Sequence, residues 1–308
     1  GQTFAERPAY GSSIATKNVG AKLFSLVYVN ATTPVVTLII YDSLSNTWEL
    51  KTAAATSFDY RQPEGALWYD SNDNAVKGLQ RFLSNNVSGY VTFTYSLATD
   101  SLTITDQRKG STIFENVGDF LGVFDGALWF GQGDCSLLSG NTFFISETIS
   151  VLDVTTMTKT SQNIIYQTYE TCSSYGLIRK AIRYGNKIYV PYTKVSYYYT
   201  DSLYCYDLTT QALSTYTFPS SFYDSGFKMA AYQNKLYLFG THNTADTGGI
   251  FETFDVLTNT FLSLTINPPF STYAQISGVD IFYFMNGSLY IIEKYNSVSP
   301  TYPLTYVY

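Results

Sequence analysis

"YGNKIYVPY" spans Tyr184–Tyr192, and "YQNKLYLFG" spans Tyr232–Gly240. Near-copies of one phrase within a single chain point to a repeated structural unit. Each passes through an Asn-containing turn into an apolar residue followed by an aromatic one. That is the signature of a strand entered through a tight hairpin.

The phrase belongs to a longer series. "DGALWFG" (Asp125–Gly131) is followed by "ISVLDVTTMTKT" (Ile149–Thr160), and Tyr184–Tyr192 by "LYCYDLTTQALSTYTF" (Leu203–Phe218). Tyr232–Gly240 is followed by "FETFDVLTNTFLSL" (Phe251–Leu264). Weaker copies are "EGALWYD" (Glu64–Asp70) with "FTYSLATDSLTI" (Phe93–Ile104), and "MNGSLYIIEKY" (Met285–Tyr295). "LIIYDSLSNTWEL" (Leu38–Leu50) supplies the second half of one more unit, whose early strands are not evident. Asp42, Ser96, Asp153, Asp207 and Asp255 hold equivalent places. In "YDLTTQALSTY" the Asp and Thr side chains can bond their own backbone and close a hairpin.

Composition agrees. The chain holds 29 Tyr and 21 Phe, while charged residues are 14%. Aromatic and β-branched residues suit pleated surfaces, and strong helix formers are scarce. Four strands in about 50 residues is the period of a β-propeller blade. The turn–apolar–aromatic strand, the "YD" strand and Trp48 beyond it resemble the kelch-type propeller family over most of the chain. The Gly-Gly pair of that family is missing; Gly131 and Gly240 stand nearest its place, and Leu213 or Phe261 replaces the later Trp. The expectation is an all-β, six-bladed, kelch-like propeller formed by one domain over residues 1–308. Leu304–Tyr308 would pair with an amino-terminal strand and close the ring, hiding sheet edges.

Several function classes are disfavoured. The net charge is −6 with a pI near 4.8 and no Lys/Arg run, so nucleic acid is a poor partner. No apolar run reaches the ~20 residues needed to span a bilayer as a helix. His242 is the one histidine, which precludes His-rich metal sites, and copper chemistry of the galactose-oxidase type found on kelch propellers needs more than one imidazole. "DSNDNAVKGLQR" (Asp70–Arg81) imitates a calcium loop, but Ala75 stands for the turn glycine and Arg81 for the bidentate Glu. No cofactor or metal is expected. Asp224, Asp246 and Glu252 are candidate carboxylates for glycoside hydrolysis, the alternative reading as a secreted carbohydrate-active enzyme.

What remains is surface. The connections between second and third strands are read as "YDSNDNAVKGLQRFLSNNVSGY", "GQGDCSLLSGNTFF", "YTKVSYYYTDS" and "GTHNTADTGG", all emerging on one face with the blade-to-blade links. Tyr192, Tyr197, Tyr198 and Tyr199, with His242, would form a binding surface there, since tyrosine gives large contact area at low entropic cost. In this architecture Cys135 and Cys172 fall on the same face and are expected to form a disulfide, leaving Cys205 as a buried thiol. Asn30, Asn86 and Asn286 open glycosylation sequons; Asn286 sits in a tight turn that favours left-handed backbone. The start at Gly1 fits a cleaved leader and a trimmed terminus equally. High Tyr, Ser, Thr and Asn content with few charges is similar to surface and virion proteins of thermophilic archaea and their viruses. The expected role is a noncatalytic extracellular, cell-surface or virion protein that contacts protein or glycan, within a larger assembly if one exists.

Overall fold

The computed structural model describes residues 5, 8, 11–29, 35–55, 64–84, 87–114, 117–139, 142–171, 176–178, 181–194, 199–223, 227–241, 250–263, 279–293 and 305–307. They form six separate antiparallel sheets in which neighbouring strands are neighbours in sequence. The first holds β1 (Ser12–Val19), β2 (Lys22–Tyr28), β3 (Val35–Asp42) and β4 (Thr47–Ala54). The second holds β5 (Glu64–Asp70), β6 (Ala75–Ser84), β7 (Val87–Ser96) and β8 (Ser101–Lys109), followed by a 3-10 turn at Thr112–Phe114. The third holds β9 (Val117–Phe124), β10 (Ala127–Ser139), β11 (Thr142–Asp153) and β12 (Thr158–Thr171). In the fourth, β13 (Gly176–Ile178) and β14 (Ile182–Tyr184) share the inner edge of β15 (Lys187–Lys194), before β16 (Tyr199–Asp207) and β17 (Leu213–Tyr223). The fifth holds β18 (Lys228–Tyr232), β19 (Lys235–Gly240), β20 (Ile250–Asp255) and β21 (Thr260–Ser263). The terminal sheet has three strands among the described residues: β22 (Val279–Met285), β23 (Ser288–Glu293) and β24 (Thr305–Val307).

The chain divides into two compact units, residues 1–115 with 283–308, and residues 116–282. In each, consecutive sheets pack face to face. Within the second unit, Ile188 and Val190 face the third sheet's Trp129, Ile149 and Val151, while Tyr189 faces the fifth sheet's Leu236, Leu238 and Phe254. Successive strand residues point to opposite faces, so a sheet buried on both sides needs apolar residues at every position. This explains runs such as "KIYV" and "KLYL". Within the first unit, Phe24, Leu26, Val36, Leu38 and Ile40 pack with Leu67, Val76, Val91, Phe93 and Tyr95 of the second sheet. Antiparallel meanders stacked face on face in chain order within each unit make this an all-β propeller fold.

The same aromatic contact recurs at the sheet junctions. The aromatic of the turn–apolar–aromatic strand packs on the third-strand aromatic of the next sheet. Phe24 meets Tyr95 at 5.4 Å between centroids, Trp129 meets Tyr206 at 6.1 Å, and Tyr189 meets Phe254 at 5.9 Å. Their interplanar angles of 54°, 55° and 61° show one tilted geometry. Tyr290 of β23 meets Tyr41 of β3 at 5.9 Å and 59°. The terminal sheet therefore precedes the first sheet in the same sense that the fourth precedes the fifth. Matching hydrogen bonds run in the same direction: Tyr184 donates to Asn234, and Tyr283 donates to Asn18 at 3.0 Å.

Three expectations need correction. The amino-terminal unit has its early strands: "SSIATKNV" and "KLFSLVY" are β1 and β2, joined at Gly20, whose φ is +57°. "EGALWYD" is a first strand, not a second, because the polar Ser71–Asn74 stretch makes the turn after it, with Asn74 left-handed. The strand after that turn is β6, so most of "YDSNDNAVKGLQRFLSNNVSGY" is strand. Likewise "GQGDCSLLSGNTFF" lies almost wholly in β10 and β11. In the terminal sheet β24 pairs with β23, and the amino-terminal segment expected to pair with Leu304–Tyr308 lies largely outside the described residues.

Candidate functional site

Each sheet has two dissimilar ends. At one, the third-to-fourth-strand turns are copies of one device. The Asp42 carboxylate accepts from the backbone N–H groups of Leu44 and Ser45, Asp153 from Thr155 and Thr156, Asp207 from Thr209 and Thr210, and Asp255 from Leu257 and Thr258. In the second sheet Ser96 serves with its hydroxyl, accepting from the Thr99 N–H. Asn46, Asp100, Met157, Gln211 and Asn259 then take left-handed φ between +53° and +58°. Hydroxyls across the tip pair at 2.5–2.7 Å in Ser45–Thr47, Thr99–Ser101, Thr156–Thr158 and Thr258–Thr260. Backbone N–H donation to these carboxylates holds Asp153, Asp207 and Asp255 below the ordinary carboxylate pKa. The residue after each Asp or Ser donates its N–H to the neighbouring first hairpin, as in Ser43 to Ala21 and Val256 to Asn234. This end is a fixed scaffold.

The opposite end carries the second-to-third-strand connections, which run from 85–86 and 140–141 to 195–198 and 242–249. Tyr192 lies in β15 opposite Ile178 and Ser202, and Tyr199 opens β16 opposite Lys194 and Tyr223. The two strands thus flank the 195–198 connection. Tyr197, Tyr198 and His242 lie outside the described residues, as do Cys172, Asn30, Asn86, Asp224 and Asp246. Cys135 is in β10 opposite Ile145. Cys205 is a buried free thiol, its pKa pushed up by burial. Asn286 is exposed in a left-handed turn at φ +50°, as its sequence indicates, and its Nδ2 donates to the Ser43 hydroxyl at 3.4 Å.

At the loop end of the second sheet, register places Glu64, Arg81, Tyr90 and Arg108 side by side. Arg81 is 5% exposed and its Nη1 donates to Glu64 Oε2 at 3.4 Å; Tyr90 packs edge-on against Phe114. Sequence reading took Arg81 only as a failed calcium ligand. The signal was its place four residues before the sheet's second hairpin, where strand registers bring an acid to face it. A buried ion pair of this kind sets register rather than adding much stability. Glu252 is 2% exposed within β20, opposite Leu238 and Ser263. Among the described residues no three His, Cys, Asp or Glu side chains group as metal ligands, and no helix is long and apolar enough to cross a membrane.

No family model matches the chain, and no curated protein matches it in sequence. Solved structures similar to it include YjhT, at 12% identity and TM-score 0.45, with 75% of this chain and 73% of that one covered. The propeller domain of the Trilobed protease from Pyrococcus furiosus, described as having an open velcro topology, matches at 12% and TM-score 0.46 over 97% and 83% of the two chains. An acylaminoacyl peptidase in complex with Z-Gly-Gly-Phe-chloromethyl ketone matches at 12% and 0.48 over 97% of this chain but 44% of its own.

Proposed function

We propose that the chain is a noncatalytic binding protein, displayed extracellularly, on a cell surface or on a virion, that contacts protein or glycan through the loop end of its sheets. The observation that supports this is the asymmetry of the sheets. One end repeats a single hydrogen-bonded turn, while the other varies in connection length and carries the tyrosine-rich "KVSYYYT" segment between β15 and β16. Binding surfaces favour variable connections mounted on a rigid frame. The frame in this reading is a six-bladed, kelch-like ring closed through its terminal strands. A glycan array and a screen of immobilised surface proteins, run in parallel with chromogenic glycoside hydrolysis, test it. Binding that falls at least tenfold in Tyr197→Ser/Tyr198→Ser with an unchanged melting curve supports the proposal. Substrate turnover abolished by Glu252→Gln overturns it in favour of a hydrolase.

A further inference from the structure

The outer strand of a sheet offers unpaired backbone groups to any other chain, and most outer strands of this protein are blunted against that. Among the described residues β4 carries Glu49 and Lys51, β8 carries Asp106, Arg108 and Lys109, and β17 carries Pro219. β21 and β24 are short, with four and three residues. The outer strand of the third sheet, β12, is different: at 14 residues it is the longest described strand. Its residues 160–169, "TSQNIIYQTY", hold no charge, no proline and no glycine. That is the composition of a strand that pairs readily with another.

Position adds to composition. β9 pairs with β10 only as far as Gln132, whereas β10 and β11 stay paired out to Ser139 and Thr142, and β11 and β12 out to Thr142 and Thr171. Past Gln132 the third sheet therefore continues as three strands, with β12 along its outer edge.

The register of β12 selects what can pair with it. Tyr166 stands opposite Glu147 and Ile164 opposite Thr148, so Ile165 is an extra, bulged residue. The bulge shifts the alternation of faces by one. Ser161, Asn163, Tyr166 and Thr168 thus share a face of the sheet, and Gln162 and Gln167 share the other. Antiparallel neighbours set residues of the same face opposite one another. A regular strand has no extra residue to set against Ile165, but a second β12 turned about a two-fold axis brings the same bulge to the same point. In that register Ser161 stands opposite Thr168, Gln162 opposite Gln167, Asn163 opposite Tyr166 and Ile164 opposite Ile165. Hydroxyl faces hydroxyl, carboxamide faces carboxamide and isoleucine faces isoleucine, with no like charges opposed.

We propose that β12 is a self-association edge, through which two copies of the chain pair antiparallel over residues 161–168 about a two-fold axis between Ile164 and Ile165. Such pairing uses the edge of both copies, so it closes at two. It goes beyond the loop contacts proposed above and does not draw on the 195–198 connection.

Sedimentation velocity on the full chain over about 1–100 µM reads the association, and substitutions at the Gln162–Gln167 pair read its register. Gln162→Lys with Gln167→Lys sets like charges opposite each other twice per dimer and should weaken the dimer at least about tenfold. Gln162→Lys with Gln167→Glu sets opposite charges there and should restore the unsubstituted affinity or exceed it. Equal weakening by both variants, a monomer throughout the range, or fibres that grow past the dimer overturn the proposal. Should either variant fold poorly, hydrogen exchange on the unsubstituted chain gives the second reading. Amides of residues 161–168 that exchange more slowly as concentration rises support the pairing, and exchange independent of concentration refutes it.

Discussion

Phe254→Ala is the sharpest probe of the junction packing. Phe254 is fully buried, and its ring lies 5.9 Å from Tyr189, 5.0 Å from Tyr216 and 4.8 Å from Phe261. Truncating a buried Phe costs about 3–5 kcal/mol from lost transfer energy plus the cavity. Two of these neighbours come from the preceding sheet, whose own backbone cannot follow the change, so the site will collapse poorly and the cost should fall near 4–5 kcal/mol. Leu152 fills the equivalent place in the third sheet and is fully buried, so Phe254→Leu should cost about 1–1.5 kcal/mol. Urea unfolding followed by tyrosine and tryptophan fluorescence reads both values. A double-mutant cycle with Tyr189→Leu should return a coupling of about 0.5–1.5 kcal/mol. Phe254→Ala costing under about 1 kcal/mol, or less than Phe254→Leu, would refute the claim that junction aromatics carry the stacking.

Other outcomes follow from the same geometry. Asp153, Asp207 and Asp255 have folded pKa values below their unfolded ones, so the stability they contribute is present above about pH 4 and is lost as pH falls below it; Asp207→Asn, which keeps the acceptor, should flatten the acid limb of a melting-temperature profile. Burial raises the Tyr41 hydroxyl to about 12 and pushes Tyr95 and Tyr189 up as well, so stability should hold below about pH 10 and fall as pH rises past it, with a late step in phenolate absorbance from these buried tyrosines coinciding with unfolding. Gly78 faces the Phe93 ring, and an added Cβ would lie 2.1 Å from it, so Gly78→Ala should cost about 1–3 kcal/mol by overpacking in a denaturant titration.

Much of this fold was written in the repeat. The turn–apolar–aromatic strand and the aromatic–Asp strand were legible as separate motifs; what the sequence did not show is that Tyr189 and Phe254 are each other's partners across a junction. "EGALWYD" misled because its Leu-Trp imitates a second strand, whereas the second sheet's own second strand places Lys77, bonded to Asp70 and Asp73, where the other sheets place an aromatic. Early strands of the first sheet escaped notice because Lys17 and Asn18 interrupt the apolar pattern before the Gly20 turn. The turn at Asn286 was readable, since Asn-Gly demands left-handed backbone. The candidate site was only partly readable: tyrosine content singles out the 195–198 connection in the sequence, but strand register alone brings Glu64 to Arg81.

The central claim is that the carboxy-terminal sheet seats on the amino-terminal one through the same ring contact used inside each unit. A double-mutant cycle on Tyr41→Leu and Tyr290→Leu measures it directly, because these residues are far apart in sequence and meet only if the two ends of the chain do. The account predicts a coupling of about 0.5–1.5 kcal/mol, matching the Tyr189–Phe254 cycle. Strict additivity at Tyr41 and Tyr290, alongside coupling at Tyr189 and Phe254, would contradict it.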